Sequence, residues 1–333
     1  VTPEITFVMP SYNAEDTLEQ ALACLLAVRT ELPFEVVVVD DGSRDRSFAI
    51  AEAASARDPR IRAFKKANGG EASALNVGFR EARATKYLAI VEADVELDPA
   101  WLERCLAVLA AEPDAIAVGG YLETPRGDPW IARLAGYEIE RKFATKPREA
   151  KHLTSANVLY RREAWDLAGP FDEQLVNASL DSVFNGKLAR AGKRLVYEPT
   201  ARCRHHYKTT FVAYLRRQYA YARFRVHNEV LDLYPSDRWL AVHVAISGLA
   251  FALLVAGAAS VAFVPEAYRI PVALAGPATL ALALLLEAGA ALEILRRTHD
   301  PVALAYPFVL VVRNVVGATG YAVGVLAKAS GKK

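Results

Sequence analysis

Three acidic groups up to residue 181 of this 333-residue chain are spaced to hold a cation and move a proton. They are Asp40-Asp41-Gly42-Ser43, Glu92-Ala93-Asp94 and Asp181. The first two follow short apolar runs, Val36-Val37-Val38-Val39 and Tyr87-Leu88-Ala89-Ile90-Val91. Acids at the carboxyl ends of buried strands line the crevice where open α/β sheets bind ligands. Alternation along a continuing strand puts Glu92, Asp94 and Glu96 on one side. Such charges repel unless a hard divalent ion lies among them, and Mg²⁺ or Mn²⁺ suits oxygen ligands shared with substrate phosphates. A solvated strand end is the plainer alternative.

The other motifs read two ways. In the Asp40-Asp41 turn, Gly42 permits the tight bend and Ser43 or Asp45 is placed to cap the next helix. The functional reading makes one of the paired acids an acceptor for a nucleotide base or ribose. Asn68-Gly69-Gly70 stands before a helical pattern, where backbone N–H groups approach an anion, although the tripeptide is equally an ordinary turn. Asp181 opens another helical pattern, as a dipole partner or as a general base. His205-His206 follow a strand-like segment and are either metal ligands or surface histidines.

The elements that position these groups alternate. Ile5–Met9, Glu35–Asp40, Ile61–Lys65, Tyr87–Val91 and Ala115–Gly119 read as strands. Between them Asp16–Ala27, Asp45–Ala56, Glu71–Ala84 and Pro99–Ala111 read as helices, with Pro99 in a first turn. That order predicts βαβ units and a largely parallel sheet, an α/β fold. From Tyr121 to about Tyr207 the segments shorten, and a helical pattern then runs over Phe211–Asp232.

Beyond Trp239 the texture changes. Trp239 to Val264 contains no Asp, Glu, Lys or Arg and exceeds the roughly 30 Å hydrocarbon core at about 1.5 Å per residue. Further apolar runs span 270–295, with Glu287 and Glu293 inside, and 302–327, interrupted by Arg313-Asn314. Three such runs with charged connectors read as membrane helices, and Arg313 is expected to face a bundle interior unless its segment is re-entrant. The predicted division is a domain over 1–210, a juxtamembrane helix and linker over 211–238, and a membrane domain over 239–333. No secretory signal precedes the first strand, and arginines stand ahead of the first span and, as Arg296 and Arg297, between the second and third, which predicts a cytoplasmic catalytic domain on a multi-pass cell-membrane protein. The net charge of +2 gives no case for nucleic acid. Cys24, Cys105 and Cys203 lack metal-ligand spacing and read as thiols in a reducing compartment.

Together these residues carry a resemblance. Tyr12-Asn13, Asp-Asp-Gly-Ser, Asn-Gly-Gly before Ser73-Ala74-Leu75-Asn76, Glu-Ala-Asp, and Gly169-Pro170-Phe171-Asp172-Glu173 ahead of Asp181 resemble a family 2 inverting glycosyltransferase of GT-A fold. The segment Thr154–Arg162 and the helix Tyr214–Arg225 resemble the succinoglycan-type exopolysaccharide glucosyltransferases, which carry C-terminal membrane segments. The resemblance implies nucleotide binding by Pro10, Tyr12, Asp41, Asn68 and Gly70. It also implies a metal on Asp94 and Glu92 with His205 as a further ligand. Asp181 would be the base, with Asn157, Gln218 and Arg223 toward the acceptor. Three departures stand out: Glu92 begins the usual Asp-x-Asp, Leu180 replaces an acid beside the base, and Glu71 stands where relatives often have Lys.

The expected activity is metal-dependent transfer of a sugar from a nucleotide-sugar donor, UDP- ahead of GDP-, to a lipid-linked polyprenyl saccharide at the membrane lipid surface. The alternatives are a polyprenyl-phosphate sugar synthase and a catalytically silent GT-A domain serving as an assembly partner. A nucleotidyltransferase is disfavoured because no Gly-rich, Arg/Lys-containing phosphate loop stands near the first strand.

Overall fold

The computed structural model describes residues 2–174, 180–207, 210–228, 240–260, 263 and 265–330. The chain forms two compact units, Val1–Asp128 with Lys146–Tyr207, and Pro129–Thr145 with Lys208–Lys333. Residues 129–145 thus leave the stretch that the sequence assigns to one continuous domain.

In the first unit, strands β1 (Ile5–Ser11), β2 (Phe34–Asp40), β3 (Ile61–Lys65), β4 (Tyr87–Val91), β5 (Val95–Leu97), β6 (Ala115–Glu123), β7 (Asn157–Arg161) and β8 (Arg194–His205) form one sheet. Its order is β3-β2-β1-β4-β7-β6-β8-β5. Helices α1 (Leu18–Leu26), α2 (Ser47–Arg57), α3 (Glu71–Glu81) and α4 (Trp101–Ala111) alternate with the first strands; α5 (Trp130–Ala144) belongs to the second unit, and α6 (Glu163–Ala168) and α7 (Leu180–Arg190) follow. The five expected strands are present, β1 and β6 running further than their apolar cores. Pro99 lies before the first turn of α4, because Ala100 donates to Asp98 Oδ1 (2.8 Å) in a turn that delays the helix to Trp101.

Burial on both faces explains the unbroken valine run: Val36 to Val39 are all fully buried. Each such side chain contributes about 1.5–3 kcal/mol relative to exposure. Pairing of Val8 with Val37 puts both on one face, where α3 packs closely enough that a Cβ on Gly78 would meet Val8 at 2.2 Å. Phe7, on the opposite face, meets Trp101 of α4, with ring centroids 6.4 Å apart.

Two consequences of topology build the site. Strands β1 to β4 are parallel, so their ends at Ser11, Asp40, Lys65 and Val91 share one edge. Short β5 then runs antiparallel to β8, with Val95 opposite His205, which brings the end of β8 beside Asp94. The β6–β8 register jumps between Gly120 and Tyr121, where the β8 backbone swings so close that a Cβ on Gly120 would meet Ala201 O at 2.0 Å. Gly120→Ala is therefore expected to cost about 3 kcal/mol by overpacking, read as a drop of several degrees in Tm.

The second unit contains α5, α8 (Phe211–Asn228), α9 (Leu240–Ser260), α10 (Glu266–Thr298), a 3-10 turn (Pro301–Ala305) and α11 (Tyr306–Ala329). Two of its helical stretches, Glu266–Thr298 and Pro301–Ala329, are long and apolar enough to cross a membrane. The described apolar part of α9 is the shorter Val242–Gly257; Trp239 and Val264, the ends of the first predicted span, lie outside the described residues. Arg313 faces inward, as the sequence left open. Its Nη1 donates to Glu138 Oε1 of α5 (2.6 Å), and its Nε and Nη2 reach Asn314 Oδ1. Asn314 continues to Ser247 and Glu287, and Glu287 to His243 (2.7 Å). Arg133 and Tyr137 of α5 both donate to Asp300 (2.7 Å each). Polar side chains spaced along α5 thus join it to the apolar helices. Arg313→Met leaves Glu138 with only Lys142 and Tyr214, and is expected to cost about 3 kcal/mol in detergent unfolding, partly recovered by adding Glu138→Gln.

Candidate active site

At the edge where β1 and β2 end, two loops latch to each other. Asn13, at a left-handed φ of 50°, donates its N–H to Ser43 Oγ (2.9 Å) and accepts from Arg44 N–H (2.9 Å). Ala14 N–H reaches Ser47 Oγ, and Asp45 accepts from Glu15 and Ser47 N–H groups. Ser43 is thus spent on the β1 loop rather than on capping α2. Gly42 sits at φ 74°, and a Cβ there would meet Asn68 N at 2.8 Å, so the turn needs glycine on both counts. Pro10 is buried in β1, while Tyr12 stands 49% exposed beyond it.

Asp41 corrects the simplest reading of this edge. Its carboxylate is buried and accepts from Lys66 Nζ (2.5 Å), Gly69 N–H (3.0 Å), Gly70 N–H (2.8 Å) and Asn68 Nδ2 (3.1 Å). Those four donors use its roughly four acceptor positions. The anion met by the Asn68-Gly69-Gly70 turn is therefore Asp41 itself. The acid acts here as the fastening of the turn before α3.

Across the crevice, Glu92, Asp94 and His205 converge. One ligand atom from each lies within 4.8 Å of the others. His205 Nε2 is 3.5 Å from Glu92 Oε2 and 3.4 Å from Asp94 Oδ1. Glu96 leaves this group: it pairs with Arg204 (2.8 Å) and His206 (3.1 Å), and His206 also meets Asp128 (2.9 Å). The turn at Ala93-Asp94 breaks the alternation that would have kept the three acids together. Burial pushes the Glu92 carboxyl up, while His205 pulls it down and Asp94 adds repulsion. Two carboxylates and an imidazole facing one point fit a divalent cation.

Asp181 sits in the first turn of α7. Asn185, on the same helix and fully buried, fixes that helix by donating to Leu153 O (2.7 Å) and accepting from Tyr160 OH (3.1 Å). Asp181 Oδ1 accepts from Ser182 N–H (2.7 Å), and Oδ2 from Ser155 N–H (3.4 Å). The Ser155 hydroxyl donates to Glu92 Oε1 (2.9 Å). One serine thus ties the acid pair to Asp181. Leu180 is buried, so an apolar contact stands where the resemblance implies an acid.

Glu71 joins the same crevice. Desolvation between its walls, then the charges of Glu92 and Asp181, raise its carboxyl well above the usual range. By surface area Glu71 is exposed, so the converging charges are the firmer of those causes. Two basic residues that no motif marks, His152 and Lys146, also lie near Asp181. Burial lowers His152 against the opposing pull of Asp181, and burial takes Lys146 down to about 7.

Asn157 is fully buried, with its amide used on Gly120 N–H (2.8 Å), Cys203 Sγ and Tyr121 O. It joins β6, β7 and β8 from inside, so it offers no surface to an acceptor. Gln218 and Arg223 lie on α8, in the second unit.

The profile Glycosyl transferase family 2 matches residues 6–167, and Glycosyl transferase family group 2 matches residues 87–292, more than half of the chain. The chain belongs to glycosyltransferase family 2. A relative is the uncharacterized glycosyltransferase EpsJ of Bacillus subtilis, 30% identical over 205 residues that cover 58% of each chain. Another is the undecaprenyl-phosphate 4-deoxy-4-formamido-L-arabinose transferase of Pseudomonas aeruginosa, 31% identical over 41% of this chain and 42% of that one. The matches span about half the length of these curated relatives. Among solved structures, the mannosyltransferase PcManGT of Pyrobaculum calidifontis, in complex with GDP-Man and Mn²⁺, has a TM-score of 0.57 and 19% identity. That likeness covers 97% of this chain and 88% of the other, and it is one of fold, the GT-A arrangement.

Proposed function

We propose that this glycosyltransferase is membrane-anchored and metal-dependent, and moves a sugar, with inversion, from a UDP- or GDP-sugar to a lipid-linked polyprenyl acceptor. The observation that carries the reading is the Ser155 bridge, whose N–H reaches Asp181 and whose hydroxyl donates to Glu92. An ion site and a proton acceptor held that close suit a reaction in which a diphosphate leaves while a hydroxyl attacks.

Glu92, Asp94 and His205 would hold Mg²⁺ or Mn²⁺. The imidazole donor favours the softer Mn²⁺. When bound, such an ion supplies Lewis-acid stabilisation of the negative charge on the leaving diphosphate. The remaining work falls to the chain. Asp181 accepts the proton of the acceptor hydroxyl as its oxygen bonds to the anomeric carbon and the carbon–phosphate oxygen bond breaks. The electron pair departs with the nucleoside diphosphate. One displacement inverts the anomeric configuration, and Asp181 must come within about 2.6–3.2 Å of the hydroxyl in the reactive complex.

The acceptor class rests on two supports: the apolar helices of the second unit, and the relative whose name specifies undecaprenyl-phosphate. Arginines ahead of the first predicted span, and Arg296 and Arg297 between the second and third, support a catalytic unit on the cytoplasmic face. The test is a panel of UDP- and GDP-sugars with Mn²⁺ and extracted membrane lipid, read by product mass. A sugar added to a lipid-linked saccharide supports the proposal. A sugar added directly to polyprenyl phosphate identifies the synthase variant instead. Nucleotide binding with no product from any donor points to a silent GT-A partner.

A further inference from the structure

We propose that His152 is a positioning residue for Asp181, its Nε2–H holding the carboxylate in the orientation that meets the acceptor hydroxyl. The inference rests on the reading of Asp181 as the base. His152 is 6% exposed, and no part of the sugar-transfer chemistry described above uses it. Its Nε2 lies 3.6 Å from Asp181 Oδ2, and its Nδ1 lies 3.2 Å from Ser182 Oγ.

The two contacts select a tautomer. When the Ser182 hydroxyl donates to Nδ1, the ring hydrogen sits on Nε2 and points toward the carboxylate. Burial favours the neutral ring that this arrangement requires. The separation of 3.6 Å is longer than a hydrogen bond, as catalytic contacts often are before the reactive complex forms. Asp181 also accepts from the backbone N–H groups of Ser182 and Ser155, the second at 3.4 Å. Rotation about its side chain is thus opposed on one side by the imidazole. Ser182, the next residue on α7, couples that ring to the same helical turn. The buried neighbour Leu180 leaves no polar group on the preceding residue to share the task.

The test compares His152→Ala, His152→Gln, Asp181→Asn and the double variant Asp181→Asn/His152→Ala in the full-length protein. The probes are radiolabelled UDP-glucose, UDP-galactose, UDP-N-acetylglucosamine and GDP-mannose, with membrane lipid extract and Mn²⁺; UDP and GDP binding are measured by calorimetry. His152→Ala is expected to lower kcat about 10–100-fold, as small misplacements of a reacting group do, with donor KM and nucleotide affinity little changed. His152→Gln, which restores an N–H donor of similar reach, is expected to recover most of the loss. In the double variant, His152→Ala should add nothing to the loss caused by Asp181→Asn. Wild-type kcat in His152→Ala overturns the proposal. So does equal loss in the alanine and glutamine variants with lowered Tm, which is a packing effect, and so does an additive double variant. Full activity in Asp181→Asn instead overturns the base assignment itself, whatever His152 does.

Discussion

Asp181→Asn is expected to reduce kcat for sugar transfer by about 10²–10⁴-fold, the usual contribution of a general base, while nucleotide affinity stays near wild type. The split follows from where the residue stands. Asp181 accepts from the Ser155 and Ser182 backbone groups, whereas the resemblance places the donor on Pro10, Tyr12, Asp41, Asn68 and Gly70, so its loss is expected to leave donor binding intact. Asparagine keeps the shape, and its one amide oxygen still accepts from Ser182 N–H, giving up only the 3.4 Å contact to Ser155 N–H, so the fold is preserved. It cannot take a proton. Because the proton moves only as the acceptor attacks, the loss should fall on kcat and kcat/KM together rather than on donor KM. A fall in affinity without a fall in kcat would place Asp181 in binding instead.

Asp94→Asn, or chelation of the wild type, is the second large effect. Removing several kcal/mol of charge stabilisation on a leaving diphosphate corresponds to about 10³-fold in rate. In Asp94→Asn one carboxylate of the Glu92–Asp94–His205 group is neutralised while its backbone carbonyl still accepts from His206 N–H (2.9 Å). The measurement is Mn²⁺ binding by electron paramagnetic resonance alongside transfer rate. Both should weaken together, with partial recovery of rate at high Mn²⁺. If transfer persists at the wild-type rate in excess chelator, the cluster is not a working metal site.

These effects show which parts of the molecule the sequence makes legible. Strands β1, β2 and β4 are plain because their side chains are buried on both faces, so apolar runs stand out without alternation. Strands β5, β7 and β8 are not. β5 has three residues, and β8 carries exposed side chains around Pro199 and Thr200, where its pairing with β6 slips. The acids Glu92 and Asp94 announce themselves by following a strand, but Glu96 two residues on turns to Arg204 and His206. Alternation could not reveal that turn. The hydrogen bonding of Asp41 is hidden for a different reason: its donors, Lys66, Gly69 and Gly70, are 25 to 29 residues away and become neighbours only through β2–β3 pairing. Asn157 looked like a polar contact residue, yet its amide is consumed within the sheet. His152 and Lys146 belong to no periodic pattern, and only the fold brings them to Asp181. The same holds for α5, whose place with the apolar helices depends on partners more than 150 residues distant.

The most direct test of the central claim is the stoichiometry of one reaction. Donor, membrane lipid extract and Mn²⁺ are incubated with the full-length protein, and released nucleoside diphosphate is counted against sugar incorporated into lipid. One diphosphate released per sugar transferred, abolished by chelator and by Asp181→Asn, is the predicted result. Nucleotide bound by folded protein with neither diphosphate nor glycolipid formed across the donor panel would contradict it.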